Sequence, residues 1–444
     1  MTTKARNESV LVIGGGVAGI QASLDLGGAG MKVYMVEKSP SIGGRMAQLD
    51  KTFPTNDCSI CILAPKMIEC FNHPNVTCYT YSELQSVKGK AGDFTVEVLR
   101  HARFVSEDRC TGCGVCMEKC PTKVPSEYEM KLSNRKAIYV PFMQSVPRVA
   151  TIDKDACIFF KTGKCKICEK VCQAKAIDHS MKDEVLTLKV GAIVVATGFD
   201  IYMPFDMPEY GYGRYPNVIT AMEYERIINA AGPTHGHLQR LSDDHAQPKK
   251  VAFIQCVGAR DVRGDRPYCC AVCCMHSTKE ATLAREHYPD LDSYIFYTDM
   301  RAFGKGFDEY TARGHREYGI TYIRARPGEI REDPATHNLT VFYTDTDARQ
   351  IKALEFDMVV LATALIPRAD TPELAKVLGV ELDEHRFYKS PDPEFRPTDT
   401  TRPGVFTAGY CQKPMDIPDA VSEGSGAAMR AMETILSTPA GGSS

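Results

Sequence analysis

The apolar residues of the chain fall into short unbroken runs, with segments of helical spacing between them. Residues 10–13 form the first run, Gly14-Gly15-Gly16-Val17-Ala18-Gly19 follows at once, and residues 20–26 are helix-compatible. A second run, residues 32–36, ends on Glu37. The order is strand, glycine turn, helix, strand, acid. Further strand-like runs occupy residues 76–79, 190–196, 250–255 and 356–363. Helices are expected near residues 220–231, over residues 277–285, and from Asp416-Ile417-Pro418-Asp419 onward, where Pro418 takes a tolerated first-turn position. Strands alternating with helices place the chain in the α/β class.

The first turn carries chemistry. Gly14 allows the tight turn, Gly16 lets a pyrophosphate approach the backbone, and Gly19 lets the helix pack on the sheet. Val17 and Ala18 open the helix whose N-terminus holds phosphate charge. Glu37, followed by Lys38, stands at the distance needed to hydrogen-bond an adenosine ribose. The next stretch, Ser41-Ile42-Gly43-Gly44-Arg45, resembles the second fingerprint of two-dinucleotide-binding flavoproteins, and Gly44 and Arg45 shift the expected cofactor from NAD to FAD. In flavoproteins of that type the next strand passes the adenine, which gives Val87 a backbone role there.

With 444 residues, two or three domains with good cores are expected. A net charge of −3 points to neither nucleic acid nor an anionic membrane surface, and no apolar stretch approaches a membrane span. Residues 1–9 are polar and run straight into a strand, which does not read as a signal peptide. Eighteen cysteines then point to metal or redox chemistry in a reducing cytoplasm, not to a disulfide framework.

Cys58 and Cys61 form a C-x-x-C pair, with the spacing of a redox disulfide, of half a metal site, or of two structural thiols. Cys70 and Cys78 have no partner at useful spacing, and Cys78 is expected in the core. From about residue 101 the texture changes. Cys110, Cys113, Cys116 and Cys120-Pro121 make the C-x-x-C-x-x-C-x-x-x-C-P run of bacterial ferredoxins, and a looser run follows at Cys157, Cys165, Cys168 and Cys172. In such runs three close thiolates cap one cube and the distant cysteine completes the other. Cys110, Cys113, Cys116 and Cys172 are therefore assigned to one [4Fe–4S] cluster, and Cys157, Cys165, Cys168 and Cys120 to a second. Zinc is the rival, since C-x-x-C pairs also hold it, but the third close cysteine and the proline favour clusters. Extra residues 161–164 before Cys165 are expected to distort the second loop.

Ala196-Thr197-Gly198 resembles the turn at which two-dinucleotide-binding flavoproteins return to the flavin, so the ferredoxin-like segment is an insertion. At the turn after residues 250–255, where a nicotinamide-binding domain shows G-x-G-x-x-G, the chain reads Cys256-Val257-Gly258-Ala259-Arg260. The fingerprint is missing, which argues against an ordinary pyridine-nucleotide reductase. Cysteine stands there instead: Cys256, then Cys269-Cys270-Ala271-Val272-Cys273-Cys274-Met275-His276. A third iron–sulfur cluster is the sharper reading, with zinc as the alternative.

Residues 53–66, 269–279, 299–306 and 416–419 together resemble the A subunit of heterodisulfide reductase. The resemblance implies a flavin domain of thioredoxin-reductase type, a ferredoxin insert, and a [4Fe–4S] cluster on a C-x12-C-x3-C-C pattern. The implied ligands are Cys256, Cys269, Cys273 and Cys274, with Cys270 an extra thiol. It also implies electron transfer with B and C subunits, flavin-based electron bifurcation in some members, and Lys279 as a catalytic lysine at the flavin edge. The rival for Lys279 is a solvated surface position. Longer members begin earlier and end with a further ferredoxin domain, so wiring through those parts is expected to come from other subunits or to be absent.

In related flavoproteins an aspartate follows the glycine that matches Gly409. Here Tyr410 stands in its place. Ala362-Thr363 is a degenerate second return turn, so Thr363 and Gly409 join the flavin-facing set. Asp416 and Ile417 open a helix aimed at the flavin pyrimidine ring, whose dipole favours anionic reduced flavin. Residues 437–444 read as a small, polar, disordered tail.

The expected organisation is a Rossmann-type, thioredoxin reductase-like fold with an inserted ferredoxin-like domain. Residues 1–100 begin the FAD domain, 101–185 are the insert, and 186–248 return to the FAD domain and connect onward. Residues 249–365 are a degenerate second dinucleotide-type domain, and 366–444 complete the FAD domain. The expected function is oxidoreduction by FAD and clusters in a cytoplasmic complex, with a homo-oligomer inside it. Three rivals stand beside it. One is the flavoprotein of a quinone-interacting membrane-bound oxidoreductase, which Asn56-Asp57-Cys58 disfavours. The others are an FAD and iron–sulfur scaffold without turnover, and an NAD(P)H-linked reductase resembling the glutamate synthase small subunit.

Overall fold

A computed structural model describes residues 7–242 and 244–438. The chain divides into two units, residues 1–47, 60–199 and 367–444 in the first and residues 48–59 and 200–366 in the second.

In the first unit the apolar runs become a five-stranded parallel sheet, ordered Val405–Thr407, Ala192–Val195, Ser9–Ile13, Lys32–Glu37, Val76–Thr80. Parallel strands covered on both faces must be apolar throughout, and Val10, Leu11, Val12, Ile193, Val194 and Val195 are all fully buried. Ser9–Ile13 pairs with both Lys32–Glu37 and Ala192–Val195, which brings the carboxyl ends of the central strands to one edge, beside the glycine turn. The helix Val17–Gly28 packs on Ile417–Ser437. Small residues set that approach: a methyl at Gly424 would stand 2.6 Å from the Ala18 carbonyl oxygen.

The run at residues 190–196 is two strands, not one. Glu184–Val190 belongs to an antiparallel sheet with Asp93–Arg100 and Ser82–Lys90, and Ala192–Val195 to the parallel sheet. Gly191 makes the turn between them, donating its N–H to the Ser9 carbonyl at 2.7 Å.

The insert has a small core of its own, built on Phe104, Val105, Ile138, Val149, Ile152 and Ile177, with Cys110, Cys116, Cys120, Cys168 and Cys172 packed against it. Of the extra residues 161–164 before Cys165, the first two end the helical turn Ile158–Thr162, which Gly163 closes in the left-handed region at φ 74°.

The second unit repeats the plan. Its parallel sheet runs Val218–Thr220, Met358–Thr363, Lys250–Val257, Asp292–Tyr297, Thr321–Arg324. The helix Ala221–Ile228 is shorter than the expected 220–231 and starts at a capping box between Thr220 and Glu223. Phe356 ends the antiparallel strand Gln350–Phe356, so the parallel strand begins at Met358. Among the described residues no helix is long and apolar enough to cross a membrane. Ser437 closes the last helix, and residues 439–444 of the expected tail lie outside the described residues, as do residues 1–6.

Candidate cofactor and metal centres

The first unit brings most of the flavin-facing residues together. Gly14, at φ +107°, lies against the Ala196-Thr197 turn so closely that a methyl there would collide with the Ala196 carbonyl oxygen. A methyl on Gly19 would collide with the Gly14 carbonyl, and one on Gly44 would come within 2.9 Å of the Gly16 Cα. Gly43 donates its N–H to the Gly15 carbonyl at 2.7 Å, which locks the second fingerprint onto the first. Arg45 follows, half-buried. Gly16 itself faces open space: the nearest atom to a methyl there would be the Gly44 Cα at 4.0 Å. It is the N-cap of Val17–Gly28, with no capping side chain and no acid in the first turn, so the helix's first N–H groups await an anion. Ala18 is buried behind them, and a methyl on Gly409 would stand 3.0 Å from its Cβ. These residues fit a dinucleotide pyrophosphate.

Glu37 is at the turn: Oε2 accepts the Gly15 N–H at 2.6 Å and Oε1 the Ser39 N–H at 2.8 Å. Lys38 points away, to Asp370 at 2.8 Å and Glu83 at 3.5 Å. Val87 pairs with Val96 in the antiparallel ladder and packs on the sheet core. The backbone N–H groups of Thr197 and Gly198 face the Cys411 thiol, which burial pushes up to about 11. Gly409 donates to Glu423 at 3.3 Å, and Tyr410 is buried beside Phe199 with ring centroids 4.7 Å apart. Asp416 caps Ile417–Ser437 by accepting the Asp419 N–H at 3.0 Å, and burial holds its carboxyl above the usual range. Thr363 is elsewhere, in the second unit, paired with Val257.

In the insert the thiols form two groups. Burial raises the Cys116 thiol to about 12, with Cys110, Cys168, Cys113 and Cys172 around it. Burial raises Cys168 to about 11, and its thiol neighbours are Cys157, Cys120 and Cys165. Those last four cysteines line one cavity with Pro121, Ile138, Ile152, Ile158 and Ile167. Cys120 thus faces the second run. Such apolar walls limit solvent access to a bound cluster and so tune its potential. Cys168 Sγ also lies 3.8 Å from His179 Nε2. Elsewhere in this unit the fold pairs two thiols that spacing left apart. Cys70 hydrogen-bonds Cys78, with Cys70 buried and Cys78 only half-buried. Cys58 and Cys61 are disulfide-bonded.

In the second unit, the turn after Lys250–Val257 is filled. A side chain at Gly258 would collide with the Tyr202 ring, Arg266 stacks on that ring at 4.1 Å, and Arg266 Nε donates to the Gly258 carbonyl at 2.7 Å. An aromatic ring and a guanidinium thus occupy the place where a second pyrophosphate would approach. Cysteines stand beside this turn. Cys256 lies at a strand irregularity with φ 60°, a conformation costly for a non-glycine residue and typical of functional sites. Its Sγ is 3.9 Å from Cys273 Sγ. Cys274 Sγ accepts the Arg301 N–H at 3.4 Å, which gives the 299–306 segment a physical role. Cys273 lies within hydrogen-bond reach of three thiols, which pushes its own thiol up and draws those of Cys256, Cys270 and Cys274 down, Cys270 to about 6. Cys269 is half-buried, and burial raises its thiol. Several thiols converging from a strand, a loop and a helix fit a thiolate-bound metal cluster.

Lys279 is fully buried in the helix Cys273–His287, not a solvated surface lysine. Its ammonium pairs with Glu225 and donates to the Lys51 carbonyl at 3.2 Å. His276 Nε2 lies 3.3 Å from Glu225 and 3.0 Å from Glu280. Burial alone would raise the Glu225 carboxyl, but Lys279 and His276 hold it low. Glu280, equally buried, stays high because His276 offsets only part of that burial. Sequence reasoning missed Glu225, His276 and Glu280. The available signal was the run Glu223-Tyr224-Glu225-Arg226, whose charges fall on every side of a short helix and so cannot all reach water.

Residues 9–63 match the FAD dependent oxidoreductase family, and residues 104–126 match the 4Fe-4S binding domain. The iron-sulfur A subunit of the CoB--CoM heterodisulfide reductase of Methanocaldococcus jannaschii is 51% identical over 95% of this chain and 63% of its own length. The second form of the same A subunit in Methanopyrus kandleri is 52% identical over 96% of this chain and 64% of its own. The A subunit of the H(2):CoB-CoM heterodisulfide,ferredoxin reductase of Methanothermobacter thermautotrophicus is 48% identical over 96% and 63%. Among solved structures, the thioredoxin reductases of T. acidophilum and Lactococcus lactis superpose with TM-scores of 0.52 and 0.53. Each is 14% identical, with 97% of this chain and all of theirs covered, so they show the fold alone. Over nearly its whole length the chain is similar to heterodisulfide reductase A subunits; it has a thioredoxin reductase-like fold and spans a little under two thirds of the length of the relatives it matches.

Proposed function

We propose that the chain is the FAD- and iron–sulfur-dependent electron-transfer subunit of a larger oxidoreductase complex. The observation that carries this reading is the loop at residues 41–44. On one side Gly43 bonds to the phosphate turn at Gly15. On the other, Ile42 donates to the Val146 carbonyl of the insert at 3.0 Å, and Val146 donates back to Ser41 Oγ at 2.8 Å. Buried Arg103 of the insert holds the same segment, donating to the Pro40 carbonyl at 2.8 Å. One short loop therefore supports both a dinucleotide cradle and a cluster-bearing insert. When bound, FAD supplies the conversion of electron pairs into single electrons. The chain's own residues hold the pyrophosphate at Gly16, orient the insert through residues 40–44, and wall the cluster cavity with isoleucines.

The insert holds two [4Fe–4S] clusters, on Cys110, Cys113, Cys116 and Cys172 and on Cys120, Cys157, Cys165 and Cys168. A third is held by Cys256, Cys273, Cys274 and one of the pair Cys269-Cys270. The relatives are named as A subunits, which supports work with B- and C-like partner subunits, and thiolate clusters suit a reducing cytoplasm. The test is anaerobic purification of the native complex followed by rapid mixing with its electron donor. Cluster absorbance should bleach with flavin reduction. A flavin that no co-purifying protein or donor reduces would return the chain to the role of scaffold.

The resemblance also implies that Lys279 tunes the flavin toward its anionic reduced forms, and that role is proposed here. Lys279→Ala also leaves Glu225 as a buried, poorly compensated charge, at a cost of roughly 3–5 kcal/mol. Lys279→Ala is therefore expected to lower thermal stability, and Lys279→Ala with Glu225→Ala to recover part of it. A redox titration separates the roles. The flavin curve should move in both variants, and a curve unmoved in the double variant makes the lysine structural.

A further inference from the structure

We infer that His179 donates its Nε2–H to the Cys168 thiolate and thereby raises the reduction potential of the insert's second cluster, the one on Cys120, Cys157, Cys165 and Cys168. His179 acts through a ligand and is not one itself, so it is a positioning residue. The inference rests on the reading of the insert as a carrier of clusters. His179 Nε2 lies 3.8 Å from Cys168 Sγ, and on the other side of the ring Nδ1 lies 3.1 Å from Glu169 Oε2. The imidazole is 4% exposed, whereas Glu169 reaches water. Phe159 and Phe160, both on the helical turn Ile158–Thr162, flank the ring with centroids 4.3 and 5.9 Å from its own. Phe160 in turn packs on Phe104, with centroids 4.4 Å apart. The residues just before His179 are tied to the insert's core. Ser106 donates its N–H to the Ala176 carbonyl at 2.7 Å, and Asp178 donates its own to the Phe104 carbonyl at 3.0 Å. These contacts hold the ring at the sulfur.

The neighbours also place the protons. Lys166 pairs with Glu169 at 3.1 Å and holds its carboxyl below the usual range, so Glu169 is an anion that only accepts. A ligand thiolate is an acceptor too. An imidazole between two anionic acceptors carries a proton on each nitrogen and donates to both. Reduction of a cluster puts more negative charge on its sulfurs, and an N–H aimed at one of them stabilises the reduced form. The isoleucine walls of this cavity strengthen the effect, because an apolar surround screens charge less than water does. In the first group the Cys172 sulfur accepts only a neutral backbone N–H, from Ala176 at 3.3 Å. An electron in the insert is thereby drawn toward the second group.

The test uses the full chain, purified anaerobically, and a redox titration at one fixed pH followed by electron paramagnetic resonance. The signal lost in Cys168→Ala marks the second cluster. His179→Phe fills the same space without a donor, and should keep wild-type iron and acid-labile sulfide per FAD. At any given potential its second cluster should show an oxidised-to-reduced ratio about tenfold higher than in wild type. That is a midpoint lower by about 59 mV for one electron. The first cluster's midpoint should stay where it is. An unmoved or higher midpoint of the second cluster, or an equal shift of both clusters, overturns the inference. If His179→Phe loses that cluster's iron, the smaller His179→Leu is read on the same scale, and loss of iron in both makes the residue structural and overturns the inference. A wild-type insert without iron and acid-labile sulfide refutes the cluster reading itself, a failure visible before any variant is made.

Discussion

Gly16→Val is expected to purify folded but with less than about a tenth of the wild-type flavin, each ~1.4 kcal/mol of lost binding energy weakening the cofactor's Kd about tenfold. The structure separates folding from binding at this residue. Gly16 has φ −79° and ψ −176°, an extended conformation that valine adopts readily. A methyl there meets no protein atom nearer than 4.0 Å, so the protein itself does not object. Exchanging a glycine for valine at a helix N-cap costs no more than about 1 kcal/mol of stability. The added carbons point into the space that the backbone leaves for a pyrophosphate, where an oxygen must come close to the helix N–H groups. The contrast with Gly14 and Gly19 is informative, since side chains there strike the Ala196 and Gly14 carbonyls and would damage the fold before the ligand. Flavin absorbance per chain and a thermal melt check both halves. A folded Gly16→Val protein with full flavin would remove Gly16 from the cofactor site.

In the insert, Cys120→Ala and Cys168→Ala are expected to abolish the same cluster, and Cys116→Ala and Cys172→Ala the other, each with loss of about four irons. The pairing is counter-intuitive by sequence, because Cys120 is four residues from Cys116 and far from Cys168. It follows from the cavity that Cys120 shares with Cys157, Cys165 and Cys168. A chain in which the two groups were independent zinc sites would behave differently. It would contain zinc and no acid-labile sulfide, and Cys120→Ala would affect the site of Cys110, Cys113 and Cys116. Iron, zinc and sulfide analysis with paramagnetic resonance of the four variants distinguishes these outcomes.

Much of this was legible in the sequence, for a physical reason. A strand of a parallel sheet with both faces covered must be apolar at every position, so residues 10–13 announce themselves without knowledge of their neighbours. A glycine turn between strand and helix is equally local, as is the close thiol spacing at Cys110, Cys113 and Cys116. The missing second fingerprint was also visible, though not what fills its place. Tyr202 and Arg266 reach the Gly258 turn from elsewhere in the chain.

What tertiary structure decided depends on contacts between distant segments. Lys279 is buried because Glu225, 54 residues away, arrives beside it, and no local pattern encodes that pairing. Lys38 turns outward because Asp370 waits there, and the parallel strand within residues 190–196 begins only at Ala192 because Val190 ends a strand of another sheet. Among the thiols of the second unit, composition says only that they are many. Which of them face one another is set by the irregular backbone at Cys256 and the left-handed turn at Ala271, conformations that the surrounding fold imposes on residues that would not adopt them alone.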